Sequence, residues 1–165
     1  MLKGWVRNCW VVSLIITGLA FPEAVTFAEE EQVSFELRTV VEKGAGGSEV
    51  LPVFGMLAGA KELSVLKEVL LDRSHLEECE VVYDPVSKTP MIEVTLTRAG
   101  ADRFSIATAS HVGRMIAVVI DGKIVSAPKV NEPISGGKFH ITGNFTTEAV
   151  EELAGKLVRS TKEEE

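Results

Sequence analysis

Met115-Ile116-Ala117-Val118-Val119-Ile120-Asp121-Gly122-Lys123-Ile124-Val125-Ser126 decides the fold. Met115 to Ile120 is an unbroken apolar run rich in β-branched residues, which reads as a buried strand. Asp121-Gly122 suits a two-residue turn with both central residues at positive φ, and Lys123 to Ser126 is the return strand. Upstream, Ile92, Val94 and Leu96 alternate with Glu93, Thr95 and Thr97, the period-two pattern of a half-buried strand. Thr97 can cap a helix from about 98 to 112, with Ala101, Phe104, Thr108, His111 and Val112 on one face and Gly113 as its stop. Downstream, Pro128 ends pairing on its edge, and Val130 to Gly137 reads as a loop pivoting on Gly136-Gly137. Phe139 to Thr142 resumes a strand. Val150, Leu153, Ala154, Leu157 and Val158 then form an amphipathic helical stripe, with Asn144 or Thr146 as its cap and Glu148 in its first turn. The tail from Lys162 to Glu165 is expected to fray.

Earlier in the chain, Val33, Phe35, Leu37 and Val41 predict a strand over 33–41. Gly44, Gly46 and Gly47 make a turn before the apolar run Val50 to Phe54, which can pair back as a second strand. From Ala60 to Cys79, Leu63, Leu66, Val69 and Leu70 sit three or four apart, which predicts a helix packed on one face. Val81 to Tyr83 reads as a short strand, and Asp84 to Pro90 as the loop of a hairpin. The expected class is α+β, an antiparallel or mixed sheet with helices packed on one face.

The first 28 residues have the layout of a secretory signal: Lys3 and Arg7 in a basic start, an apolar core from Val11 to Phe21, and Thr26 and Ala28 before a predicted cleavage point. The core is about a dozen residues, short of the roughly 20 that a membrane-spanning helix needs. An exported domain over residues 29–165 is expected, periplasmic or extracellular, and it touches the membrane only if the signal stays attached. Cys9 precedes the apolar core, so it is not a lipidation site. Cys79 is the sole cysteine after Ala28, which leaves no partner for an internal disulfide. Residues 29–165 carry 15 basic and 23 acidic residues, a balance that argues against nucleic acid and anionic membrane surfaces.

No catalytic, metal or cofactor site is expected. Asp121-Gly122 serves the turn. Gly136-Gly137 with Ser135 lacks the Lys-Ser/Thr and the following helix of a phosphate loop. His75, His111 and His140 stand in no ligand spacing. Ser126, His140 and Asp121 make a triad only on paper, since no nucleophile elbow surrounds any serine. Cys79 lies among Glu77, Glu78 and Glu80, whose charge raises a thiol pKa. Asn144-Phe145-Thr146 matches a glycosylation sequon, but those residues serve the strand-to-helix cap.

From Ile92 to Leu157 the landmarks come in an ordered series: Phe104, Thr108, Val112-Gly113-Arg114, Ile116 to Gly122, Ser126-Ala127-Pro128, Pro133-Ile134, Gly136-Gly137, Ile141 to Thr146 and Glu148. This series, within a motif-bearing part at 91–158, resembles the head subdomain of the first periplasmic domain of SecD and SecDF, the protein-export subunits. That resemblance implies a polypeptide-binding or assembly role, since the family's head is thought to engage a preprotein leaving the Sec channel. It does not extend to membrane-spanning helices after the domain, nor to the intramembrane carboxylates that would carry protons, so no motor is expected here.

The expected function is therefore a non-catalytic exported module that binds protein, either unfolded exported chains or a translocon or envelope complex. A structural accessory subunit of one envelope complex is the second reading, and an exported hydrolase the third. The candidate polypeptide-binding rim is the Pro- and Gly-punctuated loop carrying Ser126, Pro128, Lys129, Asn131, Glu132, Gly136 and Gly137, since a sheet edge or apolar groove accepts extended chains with little sequence preference.

Overall fold

Strand-forming sequence dominates the chain well before the hairpin at 115–126. The computed structural model describes residues 33–57, 59–143 and 145–159. The expected export signal at 1–28, the alternative cap Asn144 and the tail at 162–165 lie outside the described residues. In chain order the elements are β1 (Phe35–Val41), β2 (Ser48–Leu57), β3 (Ala60–Asp72), a 3-10 turn (Arg73–His75), β4 (Leu76–Tyr83), β5 (Pro90–Leu96), α1 (Arg98–Ser110), β6 (Ile116–Ile120), β7 (Lys123–Ser126), β8 (Lys138–Ile141) and α2 (Thr147–Arg159).

The class is α+β, as expected, but the strands form two sheets. One is a closed barrel in the order β1-β3-β2-β7-β6, and the other is a three-stranded sheet in the order β4-β5-β8. The three-stranded sheet is antiparallel throughout. The barrel is mixed, because β2 meets β7 in parallel through one residue pair, Val53 with Ile124. Helix α2 packs on β4 and β5, while α1 touches β3, β5 and the 3-10 turn. Among the described residues no helix is long and apolar enough to cross a membrane.

The helix expected over Ala60 to Cys79 is overturned: this stretch is β3, the 3-10 turn and the start of β4. From Leu37 to Val41, β1 advances four residues while β3 runs back seven, from Leu71 to Ser64. Bulges absorb the excess. Each bulge shifts the alternation, so Ser64 and Val65 are both buried although adjacent, and apolar residues fall three or four apart without a helix.

The hairpin at 115–126 forms as expected, with Asp121 at φ 49° and Gly122 at φ 71°. Asp121 also ties the turn to the entry of β1: the Ser34 N–H donates to its Oδ1 at 3.0 Å, and its own N–H donates to the Ser34 carbonyl at 3.1 Å. All five residues of β6 are buried because its two faces enter different cores. Ile116, Val118 and Ile120 join Leu37, Leu71, Ile92, Val94, Ile141 and Leu157 in a cluster that draws on both sheets and α2. Ala117 and Val119 join Val65, Ile124 and Ala127 in a smaller one. Fully burying a Val, Leu or Ile contributes roughly 1.5–3 kcal/mol, so the larger cluster makes the two sheets one packed body.

The Thr97 side chain caps α1 by accepting from the Gly100 N–H at 3.1 Å. Gly100 itself permits the close approach of α1 to the 3-10 turn, since a Cβ there would lie 2.6 Å from the His75 carbonyl oxygen. Thr146 caps α2, its Oγ1 accepting from the Ala149 N–H at 3.3 Å.

Candidate functional site

Beyond β7 the chain crosses from the barrel to the three-stranded sheet, and this crossing builds the wall of a cavity. Its first half is pinned by backbone bonds. Pro128 accepts from the Ile116 N–H at 3.1 Å, the Val130 N–H donates to the Arg114 carbonyl at 2.8 Å, and the Gly113 N–H donates to the Val130 carbonyl at 2.8 Å. Its second half is held by α1: the Thr108 hydroxyl donates to the Phe104 carbonyl at 2.9 Å and accepts from the Ile134 N–H at 3.0 Å. A loop tied at both ends is a preformed wall, which lowers the ordering cost of binding.

Behind this wall lies a cavity of about 440 Å³, within the range of ligand sites. Its floor is apolar: Leu37 from β1, Ile116 and Val118 from β6, Phe104 from α1, and Phe139 from β8. Phe104 and Phe139 pack with ring centroids 5.0 Å apart. Lys129, Asn131 and Glu132 from the loop, with Lys138 and His140 from β8, supply its polar margin. Glu93 on β5 organises two of these groups, since Lys138 Nζ lies 2.8 Å from its Oε1 and His140 Nε2 3.2 Å from its Oε2. The bond from Lys138 holds the Glu93 carboxyl below its usual pKa, and the same bond raises that of Lys138.

Of the rim residues expected from sequence, Pro128, Lys129, Asn131 and Glu132 line this cavity. Ser126 does not belong to an exposed rim: it is buried in β7 opposite Val118. Gly136 and Gly137 are outside the lining. Gly137 serves the fold: its φ is 65°, an added Cβ would come within 3.0 Å of the Ala101 Cβ, and its carbonyl accepts from the Leu96 N–H at 2.8 Å. The opposite wall, Phe104, Thr108, Lys138, Phe139 and His140, is not part of the rim expected from sequence, where Phe104 and Thr108 read as one face of a helix and Phe139 and His140 as part of a strand. The alternation of Lys138, Phe139 and His140 after a loop was the available signal, but it does not say which sheet the strand joins.

The other candidate groups have structural partners. His75 sits in a capping box with Asp72, and His111 closes α1 by donating from Nδ1 to the Ala107 carbonyl at 2.7 Å while Nε2 meets the Thr39 hydroxyl at 2.9 Å. His140 pairs within the three-stranded sheet, whereas Ser126 and Asp121 belong to the barrel hairpin. Cys79 is buried, and burial first, with Glu78 adding, pushes its thiol up to about 11.

Comparison with known proteins places this geometry. The family model for the SecDF P1 head subdomain matches residues 48–160. The protein translocase subunit SecD of Acidaminococcus fermentans is 43% identical over 149 residues, which is 90% of this chain and 34% of that protein. SecD of Rickettsia typhi is 38% identical over 96 residues, 58% of this chain and 18% of that protein. The chain thus spans about a third of the length of one of these relatives and about a fifth of the other. A crystal structure of SecDF in a super-membrane-facing form superposes with a TM-score of 0.62 at 24% identity, covering 76% of this chain and 18% of the other. A second SecDF structure, of a membrane component that enhances protein export, gives 0.60 at 23% identity, covering 76% and 62%. At these identities the superpositions speak for the fold.

Proposed function

Because this chain belongs to the SecDF P1 head subdomain family, we propose that it is a non-catalytic module of protein export that holds polypeptide in extended form. The observation that carries this reading is the junction of two features. Among the described residues the three-stranded sheet ends at β8, and the residues of β8 also line the apolar-floored cavity beside the pinned loop. A free strand edge supplies backbone hydrogen bonds to any sequence, and an adjoining apolar pocket takes up side chains. Residues 1–28 serve as the export signal in this reading and residues 29–165 as the periplasmic part, which the mass of the exported protein checks directly.

The test is a fluorescence titration of the purified chain with a signal-bearing secretory protein, once unfolded and once folded, at moderate salt. Preference for the unfolded form is expected. Equal binding of both forms, or of neither, would overturn the reading and favour a subunit that docks on one envelope complex.

A further inference from the structure

The backbone of β8 has a definite polarity toward its free side. The Leu96 N–H donates to the Gly137 carbonyl, and the same register continues as Thr95 with Lys138, Val94 with Phe139, Glu93 with His140 and Ile92 with Ile141. Antiparallel pairs alternate between bonded and non-bonded positions, so Phe139 and Ile141 turn their N–H and C=O groups to β5. Lys138 and His140 turn theirs away. Among the described residues nothing pairs with β8 on that outer side.

A segment added to this edge places two residues directly opposite Lys138 and His140 and one residue between them, opposite Phe139. Side chains of paired residues share a face. The middle side chain therefore lies on the face of Phe139, over the apolar floor formed with Phe104 and Ile116. Its two neighbours lie beside the Lys138 ammonium and the His140 imidazole. Lys138 has three N–H donors, so its bond to Glu93 leaves others for a second carboxylate. The Lys129 ammonium, on the facing wall, has no carboxylate within ion-pair distance among the described residues. Glu132 is the one acidic side chain in the described lining. Glu93 on β5 pairs with Lys138 and His140, and Glu78 and Glu80 on β4 also act on Lys138, but all three stand on strands behind β8, so Lys138 and His140 are the groups that an added strand meets first.

We infer that the β8 edge selects extended segments in which one apolar residue is flanked on both sides by acidic residues. This rests on the reading of the groove as a site for extended chains. The pattern is symmetric about its centre, so it holds whether the segment runs parallel or antiparallel to β8. It also separates local preference from net charge, since the chain as a whole is acidic and would by itself favour basic segments.

The experiment uses three blocked peptides of alternating Thr and Leu that differ only at the two positions flanking the central Leu, which are Glu, Thr or Lys. Each is titrated into the full chain, and amide hydrogen exchange is followed at Lys138 and His140. The Glu peptide is expected to bind about tenfold more tightly than the Lys peptide, with Thr between, as the cross-strand pair with the Lys138 ammonium turns from attractive to repulsive. Binding slows exchange at Lys138 and His140 more than at Phe139 and Ile141. Lys138→Glu, at an exposed position, reverses the order of the Glu and Lys peptides. Equal affinities with protection at the edge would overturn the selectivity and leave the groove reading intact, as would peptides that fail to bind while unfolded secretory protein binds. Protection elsewhere overturns the assignment to β8. Failure of the peptides and the unfolded protein alike overturns both.

Discussion

The five strands of the barrel and the three strands of the β4-β5-β8 sheet draw on the same β-branched residues, yet they handle their edges in opposite ways. Each barrel strand has a neighbour on both sides, although β2 and β7 meet through a single residue pair, so no barrel strand has a wholly unpaired side. Among the described residues the smaller sheet leaves β4 and β8 with one paired side each. Helix α2 packs on β4 and β5, whereas the outer side of β8 adjoins the cavity. Closure is thus a way of withholding a binding surface, and the open sheet is where the molecule keeps one.

Proline tests this contrast with the largest effect. In β6, which pairs with β1 and β7, Val118→Pro and Val119→Pro should each cost about 3 kcal/mol or more relative to alanine at the same site, because either loses a ladder bond to one neighbour or the other. In β8 the two sides separate: Phe139→Pro should cost as much relative to Phe139→Ala, and His140→Pro clearly less relative to His140→Ala, by urea unfolding. Equal costs at 139 and 140 would mean that the outer edge is paired after all.

The shared core comes next. Ile141→Ala on β8 and Ile124→Ala on β7, both fully buried in different clusters, should each cost about 2–5 kcal/mol. Both should shift one common transition with an unchanged denaturant slope, followed by Cys79 alkylation as well as by circular dichroism. Two separated transitions would show that barrel and sheet unfold independently.

A smaller effect tests the joint between them. Gly100→Ala raises helix propensity by about 1 kcal/mol, but its Cβ would meet the backbone of His75. The overpacking should win, with a net loss of about 1–2 kcal/mol in thermal or urea unfolding. A gain in stability would show that α1 can lift off the 3-10 turn freely.

The smallest effect is electrostatic. The Ser74 hydroxyl, aided by His75 and opposed by burial, holds the Asp72 carboxyl below its usual 3.8. A depressed folded-state pKa gives stability that is present above the unfolded value and lost as pH falls through the folded one. Unfolding free energy should therefore decline below about pH 4, and Asp72→Asn should narrow its gap to the parent protein toward pH 2.

The legibility of the chain followed the regularity of its strands. From β5 onward each element matched a plain signal: strict alternation at Ile92 to Leu96, a cap at Thr97, an Asp-Gly turn, and a helical stripe from Val150 to Leu157. The stretch Ala60 to Cys79 failed because the bulges of β3 put Leu63, Leu66, Val69 and Leu70 at helical spacing, and no local feature marks a bulge that exists only against β1. The division into two sheets was likewise invisible, because strand partners 40 or more residues apart leave no trace in periodicity. Half of the cavity could be read from the loop at 128–132. Its other half depended on β8 leaving the barrel to join β5, a matter of topology.

The barrel closes at a single parallel residue pair, Val53 with Ile124, that links positions 71 residues apart. The other barrel seams run along several pairs, and two of them, β2 with β3 and β6 with β7, join neighbours in the chain. Long-range closure of this kind comes late in folding, because the loop entropy must be met before the contact gives anything back. It is also the narrowest connection to undo. Under tension or in native-state fluctuations, the cylinder would part there first, and a molecule built to hide its edges would briefly show two more.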